Sequence, residues 1–72
     1  MLNANKLKGK IIERGFTISE LAEILNIDKS TLYRRLGGGS AHLTIREADK
    51  IVETLSLSSE EAGAIFFSQF VA

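Results

Sequence analysis

Apolar residues recur at helical spacing along almost the whole chain. No segment alternates between apolar and polar residues over the length of a strand, so the pattern predicts helices and no sheet. The first helix is expected over residues 3–14, and Gly15 is expected to end it in the left-handed conformation. Four apolar residues of this helix are predicted to face inward: Ala4, Leu7, Ile11 and Ile12.

Three Ser/Thr-x-x-Glu sequences mark the starts of further helices. They are Thr17 with Glu20, Thr44 with Glu47, and Ser58 with Glu61. In such a capping box each side chain accepts a hydrogen bond from the backbone of the other residue, and a capped helix start is worth about 1 kcal/mol. Asp28 is the expected N-cap of one more short helix, which ends at Leu36. The chain is therefore predicted to form five helices.

The last four helices are predicted to share one core. Its expected members are Ile18, Leu21, Ala22, Leu25, Leu32, Leu36, Ile45, Ala48, Ile51, Val52 and Leu55, with some of Ala62, Ile65, Phe66 and Phe70. The last helix has more large apolar residues than one face can bury, because Phe66 and Phe67 point about 100° apart. This excess predicts an oligomer or partner interface at Phe67, Phe70 and Val71.

Residues 17–36 have the pattern of a helix-turn-helix motif. Ala22 is small where two steeply crossing helices must approach closely, and Asn26 tolerates the left-handed conformation of a sharp turn. Ile27 fills the corner and Leu32 anchors the second helix on the first. The outer surface of the second helix then carries Lys29, Ser30, Tyr33 and Arg34, although Tyr33 would equally cover the edge of the core. A helix of this kind presents such residues to base edges in the major groove of DNA.

The chain resembles the Cro and repressor-type helix-turn-helix regulators of temperate bacteriophages, particularly the short Cro-like proteins of phages that infect low-GC Gram-positive bacteria. The resemblance rests on residues 30–37 (STLYRRLG), 43–48 (LTIREA) and 55–61 (LSLSSEE), followed by Ile65-Phe66-Phe67. It implies a compact, all-α, lambda-repressor-like domain of five helices that spans residues 1–72.

The same resemblance implies the partner and the contacts. The partner would be double-stranded operator DNA, bound by a homodimer that places two recognition helices in successive major grooves. Base contacts would come from Lys29, Ser30 and Arg34. Phosphate contacts would come from Thr31, Arg35 and the loop after the helix, to which His42 and Arg46 contribute.

Charge is distributed unevenly, although the formal net charge is zero. Up to Arg46 there are 8 basic and 4 acidic residues, and after it there are 1 basic and 5 acidic residues. This asymmetry predicts a basic face that suits nucleic acid. No acidic residue lies between Lys29 and Arg46 in the sequence to neutralise the basic residues of that stretch.

Three features support a second hypothesis of a different class. The net charge is neutral, Asp28 would repel phosphate, and Ile18 occupies a motif position where the related proteins often have a phosphate-binding glutamine. The alternative is an antirepressor or modulator of repression, which would bind a phage repressor protein through the same helix-turn-helix scaffold.

Composition argues against catalysis and cofactor binding. The chain has no cysteine, and His42 is its only histidine, which leaves neither a metal cluster nor a nucleophile with its base. Residues 37–40 (GGGS) follow no predicted strand, so residues 37–41 are expected to form a flexible connector, the longest loop, rather than a phosphate-binding loop. No enzyme activity, metal or cofactor is expected. Without an apolar run of about 20 residues or a signal peptide, a cytoplasmic protein with no membrane partner is expected.

Overall fold

The computed structural model describes residues 2–37 and 42–67. These residues form five helices and no strand, which confirms the predicted all-α fold. The helices are α1 (Ala4–Glu13), α2 (Ile18–Leu25), α3 (Lys29–Leu36), α4 (Ile45–Leu55) and α5 (Ser59–Phe66). The predicted longest loop falls between α3 and α4, and its residues 38–41 lie outside the described residues.

The helix ends follow the local sequence closely. All three predicted capping boxes form; at the start of α2, for example, the Glu20 N–H donates to Thr17 Oγ1 at 3.1 Å and the Thr17 N–H donates to Glu20 Oε1 at 2.8 Å. The predicted left-handed residues Gly15 and Asn26 have φ angles of 84° and 59°. A third left-handed residue, Ser56, ends α4 with φ 53°.

Helix α2 is the centre of the packing. It contacts α1, α3 and α4, while α1 also contacts α5. The Asn3 N–H donates to the carbonyl oxygen of Ile65 at 2.7 Å, which fixes the start of the chain to α5. The buried core consists of Leu7, Ile11, Leu21, Ala22, Leu32, Leu36, Ile51, Leu55, Leu57 and Ile65.

Two residues predicted to face the core are instead on the surface. Ile12 is 75% exposed and Ile45 is 83% exposed, so both predictions are wrong. At about 100° per residue, Ile12 lies about 100° around α1 from the buried Ile11, and Ile45 lies about 120° around α4 from the buried Ile51. Phe70, also proposed for the core, lies outside the described residues.

Glu61 joins the cap of α5 to α1. Its carboxylate accepts from the Ser58 N–H at 2.9 Å and pairs with Lys10 Nζ at 2.5 Å and Arg14 Nη2 at 3.3 Å. The hydrogen bond from Lys10, together with the bond from Ser58, lowers the pKa of Glu61 from 4.5 to about 2. The pKa of Lys10 is raised in turn, chiefly by its hydrogen bond to Glu61.

We expect this carboxylate to make stability depend on pH in the acidic range. Because the folded pKa of Glu61 is lower than its ordinary value, its contribution is complete above pH 4.5 and is lost as the pH falls toward about 2. Glu61→Gln keeps a capping side chain and removes the charge. In urea unfolding, wild type should exceed Glu61→Gln in stability at pH 7, and the difference should shrink steadily below pH 4.5. A difference that is the same at both ends of this range would contradict the assignment.

Candidate functional site

The buried core of the described residues consists of apolar side chains. No polar or charged residue is buried within residues 2–37 and 42–67. The same residues contain no group of three or more His, Cys, Asp and Glu side chains that could hold a metal ion. In the part of the chain that the structure describes, no helix combines the length and the apolar character needed to cross a membrane. The candidate functional side chains of the described residues therefore lie on the surface.

The outward face of α3 is the first candidate. The turn before α3 is closed by the Ile27 N–H, which donates to the Ala22 carbonyl oxygen at 3.0 Å. Leu32 and Leu36, one turn apart on α3, are both buried, which fixes the rotation of the helix on the core. The surface of α3 outside this buried stripe is exposed, as predicted, at Lys29, Ser30, Tyr33 and Arg34.

Contacts within α3 orient two of these exposed side chains. Arg34 Nη2 donates to Thr31 Oγ1 at 3.2 Å, one turn earlier in the helix. Lys29 Nζ lies 5.9 Å from the centroid of the Tyr33 ring, at the outer limit of a cation–π interaction. Tyr33 is thus a surface residue rather than a cover for the edge of the core. The face presents a partly oriented guanidinium beside an ammonium and an aromatic ring.

Arg35 points to a different partner from the phosphate assigned to it from the sequence. Its Nη1 forms an ion pair with Glu47 Oε2 on α4, and both side chains are largely shielded from solvent. Burial raises the pKa of Glu47, but the hydrogen bonds from the Thr44 backbone and from Arg35 outweigh it, so the pKa lies below its usual value. The carboxylate is therefore ionised at neutral pH and balances the charge of Arg35.

The two predicted contacts beyond α3 are separated in the structure. His42 lines a shallow depression together with Thr31, Arg34 and Arg35. Arg46 lines another one between α2 and α4, whose walls also include Asp49 and Glu53. The structure therefore brings His42 to the α3 face and places Arg46 in a mixed acidic and basic environment.

Acidic groups lie at the other end of α3. Asp28 occupies the predicted N-cap position, but its side chain makes no capping hydrogen bond, so the structural role expected for this carboxylate is not observed. Asp28 lines a depression with Asn26, Ile27 and Glu23, whose carboxylate adds a second negative charge. An acidic flank formed by Asp28 and Glu23 therefore lies beside the N-terminal end of α3.

Ile18 is less of an obstacle to a polar partner than its sequence position suggested. Its side chain is half-buried and packs against the core. Only part of its apolar surface is therefore left at the start of α2.

The contact of Glu47 with Arg35 was not predicted from the sequence. Glu47 was correctly predicted to belong to a capping box, but Arg35 is 12 positions away, in a different helix. No spacing rule connects two such residues, because their proximity depends on how the chain returns after α3. The only signal in the sequence is the capping box itself, because Glu47 uses one oxygen for its cap and the other is left available to a cation.

An apolar groove lies near the end of α5. Phe67 is 59% exposed, in agreement with the prediction that one phenylalanine is left over, and Phe70 and Val71 lie outside the described residues. The groove has a mainly apolar wall that includes Leu2, Leu43, Ile45, Ala48, Phe66 and Phe67. It passes next to His42 and Arg35, so it adjoins the C-terminal end of α3.

Comparison with known proteins identifies the motif. Residues 6–62 match the model of the family described as the Cro/C1-type HTH DNA-binding domain. This range includes all of α2 and α3 and the turn between them. The comparison finds no match among curated proteins and none among solved structures.

Proposed function

The chain belongs to the Cro/C1-type family of HTH DNA-binding domains, and we propose on this basis that it is a sequence-specific transcription regulator of a temperate phage of Gram-positive hosts. In this proposal α3 lies in the major groove of double-stranded operator DNA. Members of the family are DNA-binding regulators, which supports the partner class. The phage context rests on the sequence resemblance.

The observation that carries the proposal is the exposed face of α3. Lys29, Ser30 and Arg34 are all exposed on the helix that follows the tight turn, where a helix-turn-helix protein contacts bases. Arg34 would pair with a guanine through two N–H groups, and its bond to Thr31 reduces the rotamer freedom lost on binding. Thr31 and His42, beside it, would contact the phosphate backbone.

A gel-shift assay tests this proposal. DNA from the genomic neighbourhood of the coding sequence is the probe, and the assay is run with and without the adjacent repressor protein. The proposal expects a discrete shift by the protein alone that survives an excess of unrelated duplex. A shift that appears only with the repressor would instead favour a protein that modulates that repressor.

The operator complex is proposed to contain a homodimer. Phe67 and Ile45 are large, exposed apolar residues on one groove, and a second copy related by two-fold symmetry would cover both. Phe70 and Val71, which the sequence also assigns to this interface, lie outside the described residues.

Phe67→Ser should weaken self-association. A two-fold dimer loses both copies of Phe67, and each is 59% exposed before association, so the substitution costs roughly 2 to 3.5 kcal/mol and raises the dimer dissociation constant roughly 30- to 400-fold. The dissociation constant of the dimer is measured by light scattering coupled to size-exclusion chromatography over a series of protein concentrations. Ile12→Ser is the matched control, because it removes an exposed apolar residue that does not line the groove. Equal dissociation constants for the two variants would contradict the interface.

A second function is favoured by the acidic flank of α3. Asp28 lacks a capping bond and lies near Glu23, so negative charge stands where a DNA backbone would approach. The zero net charge of the chain points the same way. In this alternative the protein is a modulator that binds a phage repressor through α3, with Arg34 on an acidic surface of that partner.

Asp28→Asn should distinguish the two functions. Asparagine is also a good N-cap residue, so little change in stability is expected. If α3 binds DNA, loss of the exposed charge should strengthen binding to all duplexes by about two- to fivefold. If α3 binds a repressor, the affinity of the protein for DNA should be unchanged. Its affinity for the repressor, measured by calorimetry, should change instead. Weaker DNA binding by Asp28→Asn would contradict the assumed repulsion.

A further inference from the structure

We propose that Glu47 is a positioning residue for DNA recognition: by pairing with Arg35 it fixes the end of α3 against α4, and Arg35 therefore serves the orientation of the recognition helix rather than a phosphate. This inference rests on the proposed function, because it specifies how the α3 face is held for DNA.

The geometry of Glu47 divides its two oxygens between two tasks. Oε1 accepts from the Thr44 N–H at 2.9 Å and completes the capping box of α4, while Oε2 faces Arg35 Nη1. The cap fixes the orientation of the carboxylate, so the guanidinium meets an acceptor that is already in place. The side chains of Arg35 and Glu47 are only 26% and 14% exposed, which shields the pair from screening by salt.

The ion pair lies where it can fix the orientation of α3. Helices α3 and α4 each pack on α2, and the chain between them is long. The ion pair is a direct link between the last turn of α3 and the first turn of α4. Arg34, the proposed base-reading residue, immediately precedes Arg35, so the backbone that carries it is held by the same link.

The pairing also changes what Arg35 contributes to DNA binding. Each phosphate neutralised by a cationic side chain releases counterions and steepens the dependence of log affinity on log salt by about 0.9. An arginine whose charge is already balanced by a shielded carboxylate contributes little to this slope. The proposal and a phosphate contact by Arg35 therefore predict different salt dependences.

The test uses Arg35→Ala, Glu47→Gln and the double variant in the full chain, with a duplex selected by wild type and an unrelated duplex. Glutamine at this position retains the capping box. Each single variant should reduce the ratio of specific to non-specific affinity by about three- to tenfold, and the double variant should be no worse than the singles. Arg35→Ala should leave the salt slope unchanged. Glu53→Gln, the same change at an exposed position of α4, is the control and should leave the ratio unchanged.

Two results would overturn the inference. One is a salt slope that becomes shallower by about 0.9 per subunit in Arg35→Ala, with no loss of specificity in Glu47→Gln, which would make Arg35 a phosphate ligand. The other is additive loss of specificity in the double variant. If wild type selects no duplex at all, the proposed function fails and the positioning role fails with it. The ion pair itself is then tested by measuring the free energy of unfolding of wild type, the two single variants and the double variant. If the two single losses add up to the loss in the double variant, Arg35 and Glu47 do not stabilise each other, which would contradict the pair.

Discussion

Arg34→Ala should lose most of the preference of the protein for its operator. If the guanidinium makes a bidentate contact with a guanine, its removal costs about 1 to 3 kcal/mol for each half-site, roughly a 5- to 150-fold loss of affinity per contact. The loss should be confined to duplexes with the preferred base, so that discrimination at one position of each half-site disappears. Fluorescence anisotropy titrations with the selected duplex and its single-base variants measure both effects.

Lys6→Ala provides the matched control for Arg34→Ala. It also removes one positive charge from an exposed helix position, but Lys6 lines the α1–α5 face beside Glu60 and Glu61. Its effect on affinity should be small and equal for all duplexes. Indistinguishable losses in the two variants would mean that α3 contributes only bulk charge and reads no base.

Ala22→Leu should have the largest effect on stability. Ala22 is 2% exposed in α2, and the Ile27 N–H donates to its carbonyl oxygen in the turn that leads to α3. Added methylene groups have no room there, and overpacking of this kind costs about 1 to 3 kcal/mol. For a domain of this size the melting temperature should fall by roughly 5 to 20 °C, as followed by circular dichroism at 222 nm.

Glu23→Leu is the control for Ala22→Leu, because it shows whether a leucine added to α2 lowers stability when it is not buried. It places the same side chain one position further along α2, on an exposed site. The melting temperature of this variant should stay close to wild type. If Ala22→Leu left the melting temperature equally unchanged, the helices of the motif would not approach each other closely at Ala22.

The helix boundaries were predictable because they depend on short sequences. A Thr or Ser followed three residues later by Glu is enough to place a helix start, and all three such pairs form capping boxes. Gly15 and Asn26 were equally recognisable as left-handed residues. Ser56 was not, because serine seldom adopts this conformation and only the buried Leu57 after it hints at a helix end.

The errors concern residues whose environment is set by the packing of whole helices. Ile12 and Ile45 fit a broad apolar stripe, but α1 and α4 each bury a narrower face than the pattern allowed. The Arg35–Glu47 pair depends on the angle at which α4 returns after α3, which no local pattern encodes. The contacts that orient the exposed residues of α3 are different, because Arg34 with Thr31 and Lys29 with Tyr33 are three and four positions apart on one helix and follow from helical spacing.

Selection from a library of random duplexes tests whether α3 reads a DNA sequence. After several rounds with the wild-type protein, a short motif should be enriched in two symmetric copies, with centres separated by one helical turn, about 10 base pairs. Selection with Arg34→Ala should return the same motif with one base preference lost in each copy. A final pool from wild type that carries no more sequence information than the starting library would contradict the claim.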